Sequence, residues 1–410
     1  MRPVILVSME WLRPQDGKYG LGIRSIAAAL EDAGVPWRII DAQVNSPDFS
    51  LGHVLDELLQ AIKEDGPGCL VGFGTFVWND EAVHSLIRQL RGASVEIVLG
   101  GPQISYTPKG QLEYLYPEAD YFVRGHGEMA MVNLASGRLP DNSGIHVAGM
   151  PDMGVKAELD LLDLPSPYLL GLVEIRENIR WETQRGCPYK CSFCQHREAG
   201  KWDKNQCFFN DQRLELELAL FAARKVKRIS ILDPIFHVDR TRAIRILSCI
   251  KNAGVDAQIS LQCRFENCSS TFLDALEGLN VTLEFGLQTT IEKEYKNIER
   301  HNNIERVHSK IRDLHERHID FEVSLIYGLP DQTLASFRES VDWCIQQKIP
   351  RVRSWPLMLL RGTKLFDQKK LYGLKDKADD AGIPIVVSSK TFSEADHAEM
   401  TRIARELESI

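Results

Sequence analysis

Three closely spaced cysteines are the residues of this sequence with the clearest capacity for chemistry. Cys187, Cys191 and Cys194 lie within eight residues, in the spacing C-x3-C-x2-C. Three thiolates can each hold one iron of a four-iron cluster and leave the fourth iron without a protein ligand. An iron with a free position can bind and activate another molecule, as a catalytic zinc does. The alternatives are a structural zinc site, with His196 as the obvious fourth ligand, or buried free thiols.

Strands and helices must alternate around these cysteines to position them. Before the cluster, hydrophobic patterns predict strands at residues 3–8, 37–42, 69–76, 95–100 and 119–123, with helices over 21–33, 54–63, 81–91 and 128–134. From residue 179 onward, hydrophobic patterns predict strands at 179–183, 228–232, 257–261, 282–287, 322–327 and 352–357, with helices over 214–225, 240–251, 304–317 and 334–347. Such alternation predicts parallel sheets that are covered by helices.

The predicted fold class is therefore α/β, with an N-terminal Rossmann-like parallel sheet followed by a partial (β/α)6 barrel of TIM type. The predicted boundaries are a front domain over 1–136, a linker over 137–180 that contains several prolines, a barrel over 181–368 and a polar tail over 369–410 that ends in a short helix. The cysteines follow the first barrel strand, so we expect them on a loop at the mouth of the barrel. Ligands of such folds bind at the carboxyl ends of the strands.

Composition excludes several other classes of protein. The chain has 410 residues and a formal net charge of −8, which disfavours nucleic acid as a partner. No apolar stretch is long enough for a membrane span, and the first residues do not resemble a signal peptide. Nine cysteines, an odd and uneven set, argue against a disulfide framework. We therefore expect a soluble cytoplasmic protein without a membrane or nucleic acid partner.

The cysteine segment, with Phe193 directly before the third cysteine, resembles the signature of the radical S-adenosylmethionine (SAM) superfamily. The resemblance implies a 4Fe-4S cluster on the three cysteines, SAM as a second cofactor, and an external electron donor of flavodoxin or ferredoxin type. Leu232-Asp233-Pro234, the segment from Glu284 to Thr289, and Ile326-Tyr327-Gly328 resemble the strand ends that contact SAM in this superfamily. The implied SAM-contacting residues are Phe193, Asp233, Gln262, Arg264, Glu284, Gln288 and Gly328. The second barrel strand lacks the Gly-Gly-Glu sequence common elsewhere in the superfamily, which weakens the assignment of Asp233.

The front domain resembles the cobalamin-binding domain that precedes the barrel in one branch of this superfamily. The similar segments are Val71 to Asn79, Leu99 to Ser105 and Val123 to Glu128. Gly100 and Gly101 would let the backbone approach a large flat ligand. The implied cobalamin-contacting residues are Glu10, Trp11, Thr75, Phe76, Trp78, Asn79, Gly100, Gly101 and Gln103. Residues 14–20 contain no histidine, although many cobalamin domains supply a cobalt-ligating histidine from this region.

These resemblances imply a radical SAM enzyme that catalyses cobalamin-dependent methyl or alkyl transfer to a small metabolite. One alternative is a cobalamin-independent enzyme that transfers another fragment of SAM, such as its 3-amino-3-carboxypropyl group, or rearranges its substrate. A methylthiotransferase acting on transfer RNA would need a second set of three cysteines, but only Cys69 precedes the barrel. The non-enzymatic alternative is a cofactor-binding regulator. The sequence indicates no general acid or base.

Overall fold

A computed structural model describes residues 1–13, 17, 19–196 and 207–408. The chain divides into two compact units, of which the front unit comprises Met1–Glu174 with Asp380–Ile383 and the barrel unit comprises Ile175–Asp379 with Pro384–Ile410. Each unit contains a six-stranded sheet. The predicted α/β fold class, with a Rossmann-like sheet followed by a sheet of barrel type, is confirmed.

The front sheet consists of five parallel strands and one antiparallel edge strand, in the order β2-β1-β3-β4-β5-β6. Its strands are β1 (Val4–Glu10), β2 (Trp37–Gln43), β3 (Leu70–Gly74), β4 (Glu96–Gly100), β5 (Tyr121–Val123) and β6 (Ile145–Val147). Its helices are α1 (Leu21–Asp32), α2 (Leu51–Asp65), α3 (Asp80–Gln89), α4 (Pro102–Ser105), α5 (Leu112–Leu115) and α6 (Glu128–Ala135). The strand order changes direction between β1 and β3, which is the position where open α/β sheets bind ligands.

Strand β1 shows why this sheet forms. Residues 4–9 are all buried, although they include a serine, and the strand hydrogen-bonds to neighbours on both sides. A continuous apolar run of this kind is typical of a parallel strand that is covered on both faces. Ile5, Val7 and Leu99 belong to the resulting hydrophobic core, which also includes residues from α2 and α3.

Residues 137–174 belong to the front unit, in the stretch that the sequence predicted as a linker. The three residues of β6 extend the front sheet by pairing antiparallel with β5. Beyond β6, Ala157 forms an isolated bridge with Gly125.

The main sheet of the barrel unit is entirely parallel, in the order β14-β13-β12-β11-β10-β7. The strands of this unit, including the short pair β8 and β9, are β7 (Asn178–Trp181), β8 (Gln184–Arg185), β9 (Cys207–Phe208), β10 (Arg228–Ile231), β11 (Gln258–Cys263), β12 (Val281–Gln288), β13 (Asp320–Tyr327) and β14 (Arg351–Pro356). The helices between them are α7 (Asp211–Ala223), α8 (Arg240–Asn252), α9 (Ser270–Ala275), α10 (Glu292–Asn297), α11 (Ile304–Glu316) and α12 (Leu334–Gln346). Apart from the separate pair β8 and β9, neighbouring strands of the main sheet are successive in the chain, which is the strand order of a partial barrel.

The tail of the barrel unit adds a hairpin and a long helix. Its elements are α13 (Lys364–Asp367), α14 (Lys369–Tyr372), β15 (Lys375–Ala378), β16 (Pro384–Ser388) and α15 (Glu394–Leu407). Strands β15 and β16 pair antiparallel. In the described part of the chain, no helix combines the length and apolarity that crossing a membrane requires.

The two faces of the barrel sheet differ in character. On one face, Phe321 of β13 contacts His315 of α11, and Tyr327 contacts Phe337 of α12, so this face is covered by helices. On the other face a polar row crosses four strands in register, from Gln262 through Glu284 and Glu322 to Arg351. We refer to this second face as the polar inner face. Polar side chains in the middle of a parallel sheet favour a ligand-binding role, because such sheets are normally apolar on both faces.

Candidate cofactor-binding sites

The three cysteines lie on the loop that follows β7 and β8. Gly186 starts this loop with a φ of 91°, a backbone conformation that favours glycine. Burial raises the pKa of Cys187 and raises that of Cys194 to about 12, and in both cases the nearby Cys191 adds to the effect. Cys187 and Cys191 are buried, and Cys194 lies half-buried close enough to both to feel their charges. Thiols of this kind release their protons when they bind a metal.

A short segment between α10 and α11 holds this cysteine loop in place. We call residues 297–302 the clasp. The backbone N–H of Ser192 donates to the carbonyl of Ile298 at 2.9 Å, and the Ser192 hydroxyl donates to the carbonyl of Asn297 at 3.4 Å. The clasp is in turn fixed to the end of β12, because the Asn302 amide donates to the carbonyls of Leu287 and Thr289 at 2.9 and 3.1 Å.

Two buried arginines lie beside the cysteine loop. The Arg264 guanidinium is 3.9 Å from the ring centre of Tyr189 and donates to the carbonyl of His301 at 3.3 Å. The Arg300 guanidinium donates to the sulfur of Cys191 at 3.6 Å and to the carbonyl of Gly286. Both cations oppose the effect of burial on the pKa of Cys187. Arg300 was not predicted from the sequence, because it is 109 residues from Cys191 and belongs to no local motif.

Asp233 is fully buried where β10 ends, and its carboxylate is occupied by protein donors. One oxygen accepts from the backbone N–H groups of Thr183 and Gln184 at 2.8 and 3.1 Å, and the other accepts from the Thr183 hydroxyl. Arg242 donates to the carbonyl of Thr183 at 2.5 Å. Burial raises the pKa of Asp233 to about 7 despite these hydrogen bonds. The observed contacts fix the backbone that leads from β7 into the cysteine loop.

Of the other residues predicted to contact SAM, three lie at or just beyond the carboxyl ends of strands, namely Gln262, Gln288 and Gly328. Glu284 lies in the middle of β12. Gln262 of β11 donates to Glu284 of β12 across the polar inner face. Gln288 has a φ of 72° at the end of β12, where the pairing with β13 shifts register. Gly328 follows β13 with a φ of 89°, and its N–H donates to Gln332 at 2.7 Å. Phe193 is half-buried on the cysteine loop.

The cysteine loop meets the requirements of an iron–sulfur cluster. Its thiols share one environment, and the Nε of Arg300 beside them is buried without a hydrogen-bond partner. Additional acceptors at this position, such as the sulfides of a cluster, would satisfy that donor. His196, the candidate fourth zinc ligand, donates its backbone N–H to the sulfur of Cys194 at 3.4 Å. Within residues 1–13, 17, 19–196 and 207–408, no three Cys, His, Asp or Glu side chains are grouped to hold a single ion.

The residues predicted to contact cobalamin lie where β1, β3 and β4 end. Trp78 and the Asn79 amide both donate to the carbonyl of Met9, at 3.2 and 3.0 Å. The rings of Phe76 and Trp78 stack on each other at 4.6 Å. Gln103 donates to Asp80 at 3.0 Å. These bonds join the ends of β1 and β3 and the start of α3 into one surface.

The glycines and the acidic residue of this surface define its edges. A methyl group on Gly101 would lie 2.7 Å from the carbonyl oxygen of Thr75, so only glycine allows this approach of β4 to β3. Gly100 precedes it and accepts from the N–H of Thr75 at 2.8 Å. Glu10 ends β1 beside Gly20, while Trp11 follows it half-buried. The segment 14–20 without histidine lies partly outside the described residues.

This surface also meets a requirement of a large polar cofactor. The hydroxyls of Ser8 on β1 and Thr75 after β3 are buried and have no hydrogen-bond partner in the described part of the chain. Buried polar groups are normally paired, so two orphaned hydroxyls at a strand-order reversal favour a ligand that supplies the partners. Thr75 was predicted from the sequence and Ser8 was not, since a serine within an apolar strand gives no separate signal.

Two family models match the chain, one for each unit. The B12 binding domain matches residues 19–135, and the radical SAM superfamily matches residues 181–344. The chain belongs to the radical SAM superfamily, in its branch with an N-terminal cobalamin-binding domain. The cofactors of this branch are a 4Fe-4S cluster, SAM and cobalamin, as the two matched domains imply.

Two curated relatives of this radical SAM protein are methyltransferases by name. The chain is 29% identical over 345 residues to the cobalamin-dependent radical SAM methyltransferase TokK of Streptomyces tokunonensis, a match that covers 75% of the chain and 49% of TokK. It is 27% identical over 336 residues to the 2-(S-pantetheinyl)-carbapenam-3-carboxylate methyltransferase of Streptantibioticus cattleyicolor, covering 72% of the chain and 48% of that protein. The chain thus spans about half the length of these relatives.

A solved structure supports the same fold over nearly the whole chain. The radical SAM methyltransferase TsrM from Kitasatospora setae, with a tryptophan substrate and a SAM analogue bound, superposes with a TM-score of 0.76. The superposition covers 98% of this chain and 89% of TsrM at 17% sequence identity. At this identity the likeness establishes the fold.

Proposed function

We propose that this radical SAM protein is a cobalamin-dependent methyl- or alkyltransferase that acts on a small molecule. One observation carries the proposal: the chain combines a desolvated three-cysteine loop with a cobalamin-type surface whose buried Ser8 and Thr75 hydroxyls are unpaired. The names of the relatives TokK and TsrM support transfer of a methyl group by proteins of this kind.

In this proposal Cys187, Cys191 and Cys194 hold the cluster, and the residues around them hold the loop. When bound, the cluster and SAM supply a one-electron cleavage of a carbon–sulfur bond, and cobalamin supplies the methyl carrier. An external electron donor of flavodoxin or ferredoxin type is part of the proposal, because cleavage consumes an electron.

For SAM we propose residues of the polar inner face together with residues at the ends of β12 and β13 and on the cysteine loop. Glu284 and Gln262, which already pair with each other, offer polar groups to the ribose. The backbone at Gly328 borders the adenine, and Phe193 and Gln288 lie at the rim. Asp233 and Arg264 are occupied by the cysteine loop and its neighbours, which favours a positioning role for both over the predicted contact with SAM.

For cobalamin we propose the surface formed by Glu10, Trp11 and the ends of β3 and β4. The Ser8 and Thr75 hydroxyls would pair with polar groups of the cofactor, and Gly100 and Gly101 would allow close contact with the backbone. Phe76 and Trp78, stacked together, offer an aromatic surface, while Asn79 and Gln103 hold the strand ends that carry it.

The experiment uses protein reconstituted without oxygen and supplied with SAM, a strong reductant and hydroxocobalamin. We expect bound cobalamin in the absorbance spectrum, with 5′-deoxyadenosine and S-adenosylhomocysteine as SAM products identified by mass spectrometry. Cys191→Ala should lose both products. Cys249→Ala, which changes a half-exposed cysteine on α8, is the matched control and should keep them.

The outcomes separate the proposed function from its rivals. Methylthioadenosine without bound cobalamin would replace it with transfer of the 3-amino-3-carboxypropyl group. An intact cluster that never cleaves SAM would contradict the enzyme assignment and favour a cofactor-binding regulator. Zinc in place of iron in anaerobically purified protein would contradict the cluster itself.

A further inference from the structure

Arg300 is a buried cation that has no anionic partner among the described residues. Its side chain lies in the clasp and is largely shielded from water, with the residue 7% exposed. Its observed acceptors are the Cys191 sulfur at 3.6 Å and the Gly286 carbonyl. Among the described residues no carboxylate lies within ion-pair distance of it, whereas Arg264 pairs with Glu266 at 3.3 Å.

This arrangement is costly unless a negative charge occupies the site. A guanidinium keeps its charge at any accessible pH, and burial of an unpaired charge is strongly unfavourable. One further donor of the same group, Nε, is buried and unpaired. The partner that Arg300 lacks among the described residues would be anionic, rich in acceptors and located at Cys191. A four-iron cluster with three thiolate ligands satisfies all three conditions.

We propose that Arg300 is the counter-ion of the cluster, donates a hydrogen bond to the sulfur of Cys191 and raises the reduction potential of the cluster. The inference rests on the proposed function, because it requires a cluster on these cysteines. Reduction adds one negative charge to the cluster, so a fixed cation nearby stabilises the reduced form more than the oxidised form. Hydrogen bonds to cluster sulfurs act in the same direction.

The second hydrogen bond of Arg300 gives the residue a positioning role as well. The guanidinium that contacts Cys191 also contacts the carbonyl of Gly286, two residues from both Glu284 and Gln288 on β12. One rigid side chain therefore connects the cysteine loop to the strand end proposed for SAM. Lysine could keep the charge but could not form both bonds in this fixed geometry.

The test measures the midpoint potential of the reconstituted cluster in the absence of SAM, by redox titration with electron paramagnetic resonance detection. Iron and sulfide are counted first. The variants are Arg300→Met, which removes charge and donors, Arg300→Gln, which keeps donors without charge, and Arg300→Lys. The matched control is Asn302→Ala, which loosens the clasp at β12 and leaves the arginine in place.

We expect Arg300→Met to reduce the ratio of reduced to oxidised cluster at fixed potential by about tenfold, which for one electron corresponds to a midpoint about 59 mV lower. Arg300→Gln, which keeps donors, should lower the midpoint by less than Arg300→Met does. Arg300→Lys should lie between Arg300→Gln and the wild type, and Asn302→Ala should match the wild type. If Arg300→Met does not retain iron, the midpoint potentials of Arg300→Gln and Arg300→Lys test the proposal in its place. Loss of iron from every Arg300 variant, with full iron in Asn302→Ala, also supports the counter-ion role.

Two results would overturn the inference. One is an unchanged midpoint in fully loaded Arg300→Met or Arg300→Gln, and the other is an equal shift in Asn302→Ala, which would mark the effect as structural. Either result leaves the proposed function intact. By contrast, a wild-type protein that assembles no cluster would remove the proposed function together with this inference.

Discussion

Asp233 is a carboxyl group whose protonation is tied to the fold. In the unfolded chain its pKa is that of an ordinary aspartate, about 4. In the folded protein, burial raises the pKa to about 7, although Thr183 and Gln184 donate to it. Its contribution to stability is therefore fully present below about pH 4 and is lost as the pH rises to about 7.

Asp233→Asn is expected to remove this pH dependence. The amide has nearly the shape of the carboxyl group, and its oxygen can still accept from the two backbone N–H groups. Relative to the wild type, the variant should gain stability on the order of a few kcal/mol between about pH 4 and about pH 7. Urea denaturation of both proteins across this interval measures the difference, and a constant difference would show that Asp233 titrates like an exposed carboxyl group.

The contribution of His237 to stability has the opposite pH dependence. The free energy of unfolding must therefore be compared between the wild type and Asp233→Asn at each pH. Burial lowers the pKa of His237 to about 4, and the ring stacks on Phe272. Its contribution is present above about pH 6.5 and is lost as the pH falls to about 4. Because both proteins contain His237, its effect cancels in the difference.

The residues of the site were predictable where local spacing carries the information. Cys187, Cys191 and Cys194 are recognisable because ligands on one loop must be close in sequence. Arg300 is not, since its contact with Cys191 exists only when α10 folds back onto the cysteine loop. Asp233 and Arg264 were predicted to contact SAM, and that prediction stays untested; their observed protein partners are set by side-chain packing that a single sequence does not encode locally.

Gly101 lies where the carboxyl ends of strands β3 and β4 contact each other. It has φ and ψ of 90° and −177°, a conformation that is almost exclusive to glycine. The N–H of Gln103 donates to the carbonyl of Thr75 at 3.1 Å directly beyond it. The junction carries the residues proposed for cobalamin.

Gly101→Ala should destabilise the front unit and weaken cobalamin retention. Gly92→Ala is the matched control, because Gly92 also has a positive φ, 89°, but has open space at its Cβ position. The control should cost about 1–3 kcal/mol from backbone strain alone. Gly101→Ala should cost about 2 kcal/mol more, because the methyl group would overlap the Thr75 backbone. Denaturation midpoints and bound cobalamin measure both effects, and equal costs would show that strain rather than crowding requires glycine here.

The regular elements were predictable from hydrophobic period, and the short irregular ones were not. Every parallel strand of the two large sheets was expected within a few residues of its observed range, because each is an apolar run between helical patterns. Strand β6 was not expected: its three residues lie in a proline-containing stretch and form a strand only by pairing with β5. The hairpin of β15 and β16 is likewise hidden in a polar tail.

The front unit and the barrel unit each have a buried hydrophobic core of their own. Leu99 lies in the core of the front unit, and Leu283 is fully buried in β12 of the barrel unit. Chains of this size with separate cores commonly unfold through intermediates.

A core substitution should therefore weaken the unit that contains it first. Leu99→Ala and Leu283→Ala should each cost about 2–5 kcal/mol in their own unit. Hydrogen exchange followed by mass spectrometry should show faster exchange in β1, β3 and β4 for the first variant, and in β11, β12 and β13 for the second. Equal loss of protection across both units in either variant would show that the chain unfolds as one cooperative body.

Alternate residues along each barrel strand lie on different faces of the sheet, so they are subject to different constraints on substitution. Outward residues such as Phe321 pack against the helices, whereas inward residues such as Glu284 and Gln262 hydrogen-bond to each other on the polar inner face. Substitutions that disturb helix packing and substitutions that alter the polar inner face thus fall at different positions of the same strand. TsrM shares the backbone at a TM-score of 0.76 with only 17% of its residues identical. The same backbone can therefore be kept while most side chains, including those of the polar inner face, are replaced.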